Sequence, residues 1–185
     1  MPQDLRIYGT GQAGWAAATK TGSKSLVVWE SSDLRTWSQE KLIKVSPDHA
    51  GMTWAPDAIY DRAHDIYVVY WTSALNTGGW HTMRSNTKDF KSFSPAQIWK
   101  GVAGMDSTIV FDIEMKTYYR FSKNGPGELI EQVESKSLDG PWRLVKNQIG
   151  LGAMPKGEGP LIFQSNSNQK KASNFADTIC DCDPC

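Results

Sequence analysis

The chain has 185 residues, with 20 Lys plus Arg against 20 Asp plus Glu and a formal charge of zero. A balanced charge excludes the basic footprint of a nucleic-acid binder or of an electrostatic membrane surface, and no stretch reaches the roughly 18 apolar residues of a membrane span. The compositional excess is aromatic, 8 Trp, 6 Tyr and 6 Phe, which suits sugar rings stacking on aromatic faces and equally suits a β core filled with indoles.

From the N-terminus, Met1-Pro2-Gln3-Asp4 has neither a basic start nor an apolar run, so no signal peptide is predicted and the compartment stays open. Leu5 to Gly11 reads as a first strand. Gly14 to Lys20 reads as a loop, in which Trp15 would wall a cleft. Ser25-Leu-Val-Val-Trp29 reads as a strand and leads into the polar turn Ser31-Ser-Asp33, closed by Trp37. That strand–turn–aromatic pattern returns at Met83 to Phe93 with Asp89, and at Val133 to Trp142 with Asp139. The three aspartates are 56 and 50 positions apart.

A second series runs out of phase with the first. Ala55-Pro-Asp57 leads into the strand Ile66 to Trp71, Met105-Asp106 leads into Thr117 to Phe121, and Gly157-Glu158-Gly159-Pro160 opens a third unit. Asp57, Asp106 and Glu158 are 49 and 52 positions apart. One unit contains four short extended stretches: Ala58–Tyr60, Ile66–Trp71, His81–Ser85 and Gln97–Trp99. No helical period exceeds a turn or two. Four strands repeating at about 50 residues describe a propeller blade. The predicted fold is therefore all-β, a partial β-propeller of about three to three and a half blades over residues 1–164. Residues 165–185 are predicted to be a polar, irregular tail. Its Cys180, Cys182 and Cys185 lack a second ligand cluster, so no metal site is predicted there.

The repeat carries the chemistry. In a propeller the first strand of each blade lines a central channel, so carboxylates at one phase of successive blades converge. Asp57, Asp106 and Glu158 are expected at that phase, whereas Asp61 and Asp112 read as caps of hairpin turns. Glu158 sits between two glycines, where backbone can approach a ligand. Two carboxyls facing one cavity are what glycoside hydrolysis uses, one to protonate the leaving oxygen and one to activate water or attack carbon.

Trp54-Ala-Pro-Asp57, Met105-Asp106-Ser-Thr108 and Gly157-Glu158-Gly-Pro160, in this order and spacing, resemble the family 43 glycoside hydrolases, over roughly residues 4–164. The resemblance implies a five-bladed propeller acting on arabinose- and xylose-containing polysaccharides, secreted, with inversion at the anomeric centre. It implies Glu158 as general acid and Asp106 as the group that orients that acid and tunes its pKa. No cofactor is required; a structural calcium is implied by the family alone, and the sequence shows no ligand set for it. The family's general base, an aspartate opening the first blade's inner strand, would fall upstream of Met1, and Asp4 lies at the wrong end of that strand. The chain is thus expected to be truncated at both ends, with little or no hydrolysis of its own.

The remaining candidates for sugar contact are Trp54 (platform or core anchor), Trp15, Asp57 and Arg120, the last to a hydroxyl or a carboxylate. Trp29, Trp37, Trp99 and Trp142 are expected in blade cores, and His49 and His81 on the surface. Two other functions fit the same features: a non-catalytic carbohydrate-binding propeller remnant and a protein-interaction propeller.

Overall fold

The computed structural model describes residues 8–9, 11–102, 104–124, 129–153, 156–164 and 172–177. They divide into two compact units, Met1–Pro56 with Tyr60–Ile98, and Asp57–Ile59 with Trp99–Cys185. Apart from one helix the described elements are antiparallel strands, so the all-β expectation holds.

The helix, α1 (Gly11–Thr21), replaces the predicted loop around Trp15. Ala16, Ala17 and Ala18 are the strongest helix formers. Its buried face is Gly14 and Ala18, with no large apolar residue, so no 3.6-residue hydrophobic period marks it. Those small residues set the packing: a Cβ on Gly14 would lie 2.3 Å from the Gly9 carbonyl oxygen, and one on Gly51 would lie 1.6 Å from that of Thr19. Of the first predicted strand, Leu5 to Gly11, residues 5–7 and 10 lie outside the described residues, Tyr8 and Gly9 belong to no strand, and Gly11 opens α1.

In the first unit β1 (Ser25–Val28) pairs with β2 (Lys41–Lys44). A four-stranded sheet follows in sequence order: β3 (Trp54–Asp61), β4 (Ile66–Ala74), β5 (Trp80–Thr87) and β6 (Gln97–Ile98). These are the four stretches predicted for one blade, the first three with longer ends and the last one residue shorter. In β4, Val68, Val69, Tyr70 and Trp71 are all buried, as in a strand covered on both faces.

In the second unit β7 (Met105–Asp112), β8 (Thr117–Asn124), β9 (Leu129–Ser135) and β10 (Arg143–Ile149) form the next four-stranded sheet. Then β11 (Glu158–Gln164) pairs with β12 (Ala172–Asp177). The segment read as an irregular tail therefore contains a strand. Its polar composition hides it, because backbone pairing with the apolar β11 builds it. The cysteines lie outside the described residues. β11 packs on β7 and β8, and Ile162 joins Phe121 and Ile130 in a core flanked by Val110, Tyr119 and Ile149.

The repeat holds at the level of single dihedrals. In the aspartate turns, Ser31 Oγ accepts the N–H groups of Asp33 and Leu34, Thr87 Oγ1 those of Asp89 and Phe90, and Ser137 Oγ that of Asp139. The residue after each aspartate is left-handed: Leu34 (φ 58°), Phe90 (φ 53°) and Gly140 (φ 85°). Asp33 and Asp89 each cap two further N–H groups. Those backbone bonds hold the Asp33 carboxyl down to about 2.

The second series is also phased by left-handed residues, and this corrects the alignment drawn from sequence. Ala55 (φ 46°) matches Asp106 (φ 50°), and Asp65 (φ 53°) matches Lys116 (φ 47°), both 51 positions apart. Gly159 (φ 52°) is the third member of the first set. Asp57 thus falls in register with Thr108, and Glu158 with Met105 and Trp54. Equal residue type at roughly equal spacing had stood in for equal backbone position.

Of the tryptophans assigned to cores, Trp99 is buried and donates its indole N–H to the Leu138 carbonyl, and Trp142 is half-buried. Trp29 and Trp37 are 46% and 54% exposed. Trp29 lies just past the end of β1 and Trp37 lies between β1 and β2, beyond the cover of a two-stranded sheet.

Phe121→Ala should lower the unfolding free energy by about 3–5 kcal/mol, read by urea denaturation. A loss under about 1 kcal/mol would mean that Phe121 does not join β11 to its neighbouring sheet.

Candidate active site

The second unit brings two of the predicted residues together through the way its strands begin. Gly104 (φ 92°) precedes β7, and a Cβ there would lie 2.7 Å from Ser122 Oγ and 3.0 Å from the Lys123 carbonyl oxygen. Only glycine lets the chain enter β7 this close to β8. Met105 pairs with Lys123, yet the next pair is Thr108 with Phe121. Two residues of β7, Asp106 and Ser107, therefore stand opposite Ser122 alone. This is a β-bulge, and bulges re-aim side chains. Asp106 takes the left-handed conformation that aspartate tolerates better than most residues. β11 repeats the device, since a register shift falls between Glu158 and Pro160, at Gly159.

Glu158 and Asp106 thus stand at the bulged openings of two packed strands, with a cation beside them. Lys123 Nζ donates to Glu158 Oε1 in an ion pair whose side chains are 10% and 33% exposed. The Asp106 carboxyl is raised above its ordinary range, first by burial and then by the Glu158 charge, with Lys123 partly opposing both. A carboxyl that holds its proton more tightly beside an ionised neighbour is the arrangement acid–base chemistry uses.

The other predicted residues lie elsewhere. Arg120 is 2% exposed, and its guanidinium carbon sits 5.5 Å from the Trp142 ring centroid. Three positions from Lys123 on one strand, it faces the other side of the sheet. Strand alternation thus turns Arg120 away from Lys123 and packs it against the Trp142 indole. Asp57 is half-buried and accepts the Ala58 N–H at 2.7 Å. Asp61 and Asp112 cap turns as expected, accepting the Ala63 and Met115 N–H groups.

In the first unit the Trp15 and Trp54 rings meet edge to face at 5.2 Å, and the Trp54 and Trp80 rings meet at 5.9 Å. Trp15 and Trp80 are 54% and 47% exposed, with Trp54 half-buried between them. Solvent-facing indoles in contact are a ready surface for the apolar face of a sugar. Trp80 and Lys123 are the two residues of these clusters that sequence reasoning missed. The signal for Trp80 was the turn before it, Gly78 (φ 102°) and Gly79 (φ 83°), which aims the start of β5. The signal for Lys123 was a charge inside an otherwise buried strand.

Among the described residues no three His, Cys, Asp or Glu side chains converge to hold a metal ion. No described helix is long and apolar enough to cross a membrane.

Comparison with known proteins places this geometry. The family model described as "Probable glycosyl hydrolase domain", of the family 43-related group, matches residues 1–181. An α-L-arabinofuranosidase of Bifidobacterium longum subsp. longum is 31% identical over 150 residues, covering 67% of this chain and 13% of that protein. The chain thus spans a small fraction of the relative it matches. The crystal structure of a thermostable family-43 glycoside hydrolase superposes with a TM-score of 0.59 at 17% identity. It covers 83% of this chain and 56% of its own, a likeness of fold.

Asp106 gives a pH prediction whose sign is fixed. A carboxyl raised on folding favours the folded state below its unfolded pKa, and that contribution is lost as pH rises through the folded value. Asp106→Asn should therefore stabilise the protein at pH 7, by a margin that shrinks as pH falls toward 4. Urea unfolding of both proteins across that range measures it, and a pH-independent difference would contradict the raised carboxyl.

Proposed function

The chain belongs to the family 43-related glycosyl hydrolases, and from that premise we propose that it carries the proton-donating part of a site that cleaves glycosidic bonds. One arrangement carries the reading: Glu158, in an ion pair with the buried Lys123, lies close enough for its charge to raise the Asp106 carboxyl, although the two acids are about half a hundred residues apart in sequence. In the proposed reaction Glu158, paired with Lys123 at rest, takes up the proton that Asp106 holds and gives it to the departing glycosidic oxygen as the bond to the anomeric carbon breaks. Water adds to that carbon with inversion as in the family and gives up its proton to a general base, a role to which no residue of this chain is assigned. Asp106 orients Glu158 and, through its own charge state, sets the moment at which Glu158 can release a proton.

The substrate is proposed to be an arabinose- or xylose-containing oligo- or polysaccharide. The matched arabinofuranosidase supports arabinose, and Trp15, Trp54 and Trp80 supply aromatic faces of the kind a furanose or pyranose ring stacks on. A second reading, sugar binding without cleavage, is favoured by these exposed indoles alone. It predicts the same binding with no bond broken.

Two measurements test the proposal. Cleavage of arabino-oligosaccharides supported by added azide, a nucleophile that needs no general base, should fall by about 10²–10⁴-fold in Glu158→Gln because the sugar leaving group needs protonation. Equal rates in the two proteins would remove Glu158 from the chemistry. Calorimetry with the same oligosaccharides should show Trp54→Ala and Trp80→Ala each losing about 1 kcal/mol, roughly fivefold in Kd. No heat from the unaltered protein at millimolar sugar would end both readings.

A further inference from the structure

Lys123 departs from its own repeat. β4 and β8 occupy the same place in successive repeats, since Asp65 and Lys116, the left-handed residues that precede them, are 51 positions apart. The same interval puts Thr72 at the position of Lys123. Thr72 is 3% exposed and Lys123 8%. The blade architecture is thus satisfied by a small neutral side chain at this point. An ammonium taken out of water costs several kcal/mol unless a partner and good geometry offset it. The second repeat accepts that cost where its strand reaches the two carboxyls, and the first repeat, with Ala55 in place of Asp106, does not.

We propose that Lys123 is a positioning residue of the carboxyl site, an ammonium that fixes the Glu158 carboxylate at the opening of β11 and supplies the positive charge that lets it stand beside Asp106. The role follows from three placements. Lys123 is the cross-strand partner of Met105, so its stem rises from the sheet next to Asp106. β11 packs on β8, which brings Glu158 within reach of Nζ. The charges that act on Asp106 are Glu158 from β11 and Lys123 from β8, and they act in opposite directions. Without the ammonium the Glu158 charge would act on Asp106 unopposed, and no cation would hold the Glu158 carboxylate in one orientation. The reacting carboxyl would then lose its fixed position, to which rate is steeply sensitive.

This inference rests on the reading of Asp106 and Glu158 as the working pair, and its test uses no substrate. Carboxyl ¹³C shifts of Asp106, assigned with Asp106→Asn, are followed against pH in the unaltered chain, Lys123→Met, Lys123→Arg and Glu158→Gln. The Asp106 midpoint should move up in Lys123→Met, where the Glu158 charge is no longer opposed. It should move down in Glu158→Gln and stay in place in Lys123→Arg, which keeps the cation. An unmoved midpoint in Lys123→Met, or an equal shift in Lys123→Arg, overturns the proposal. Should Lys123→Met fail to fold by its amide spectrum, the other two variants decide. A midpoint unchanged in Glu158→Gln, or shifted in Lys123→Arg, overturns the proposal equally. Titration as stated with no oligosaccharide cleaved in added azide would sink the hydrolase reading and leave the Lys123 role standing. Cleavage with an immobile Asp106 midpoint would do the reverse.

Discussion

Glu158 reaches Lys123 because β11 lies against β7 and β8, and β11 lies there because Ile162 packs with Phe121 and Ile130. Magnitudes say which contact governs the other. Fully burying an aliphatic or aromatic side chain is worth about 1.5–3 kcal/mol, and three such residues meet here. A buried ion pair returns little net stability once desolvation is counted. The apolar contact therefore holds the strands together, and the charged contact is a consequence that packing imposes on the residues at the strand openings. The proposed acid chemistry thus depends on a hydrophobic seam several residues away from it.

The seam fixes where the strands are, and the bulges fix where their first side chains point. Ala55, Asp106 and Gly159 share one left-handed position at the start of β3, β7 and β11. The repeat thus supplies a backbone kink three times and fills it with three different residues. Alanine there carries no chemistry, aspartate places a carboxyl in the bulge, and glycine frees the preceding Glu158 to stand out from the strand. One inherited backbone feature serves a purely structural end in the first unit and an electrostatic one in the second. Lys123 in place of Thr72 is the matching change on the neighbouring strand.

Much of this was legible in the sequence, for reasons that can be named. The four strands of one blade announce themselves because β4 is a continuous run of buried Val, Tyr and Trp between turn residues. The aspartate turns announce themselves because each needs a hydroxyl, a carboxylate and a left-handed residue at fixed offsets. Glu158 and Asp106 could be chosen by residue type and glycine context. What stayed hidden depends on register or on small residues. α1 packs on Gly14 and Ala18, which leave no hydrophobic period. Asp57 was aligned by its charge and not by the kink two residues before it. Arg120 and Lys123 could not be sorted between the faces of β8, because a strand's two faces look alike until a bulge fixes the alternation, and the place of Lys123 therefore stayed hidden. Trp80 escaped because its partners, Trp15 and Trp54, come from a helix and a strand far from it in sequence.

The account therefore turns on the second unit's packing of β11 over β8, and a distance measurement addresses it without reference to any reaction. With ¹³C-labelled isoleucine methyls and protonated phenylalanine rings in an otherwise deuterated chain, Ile162 methyls should show strong nuclear Overhauser contacts to the Phe121 ring. Weaker ones should reach Ile130. Ile162 methyls that see solvent and neither side chain would place β11 elsewhere. Glu158 and Asp106 would then have no reason to influence one another.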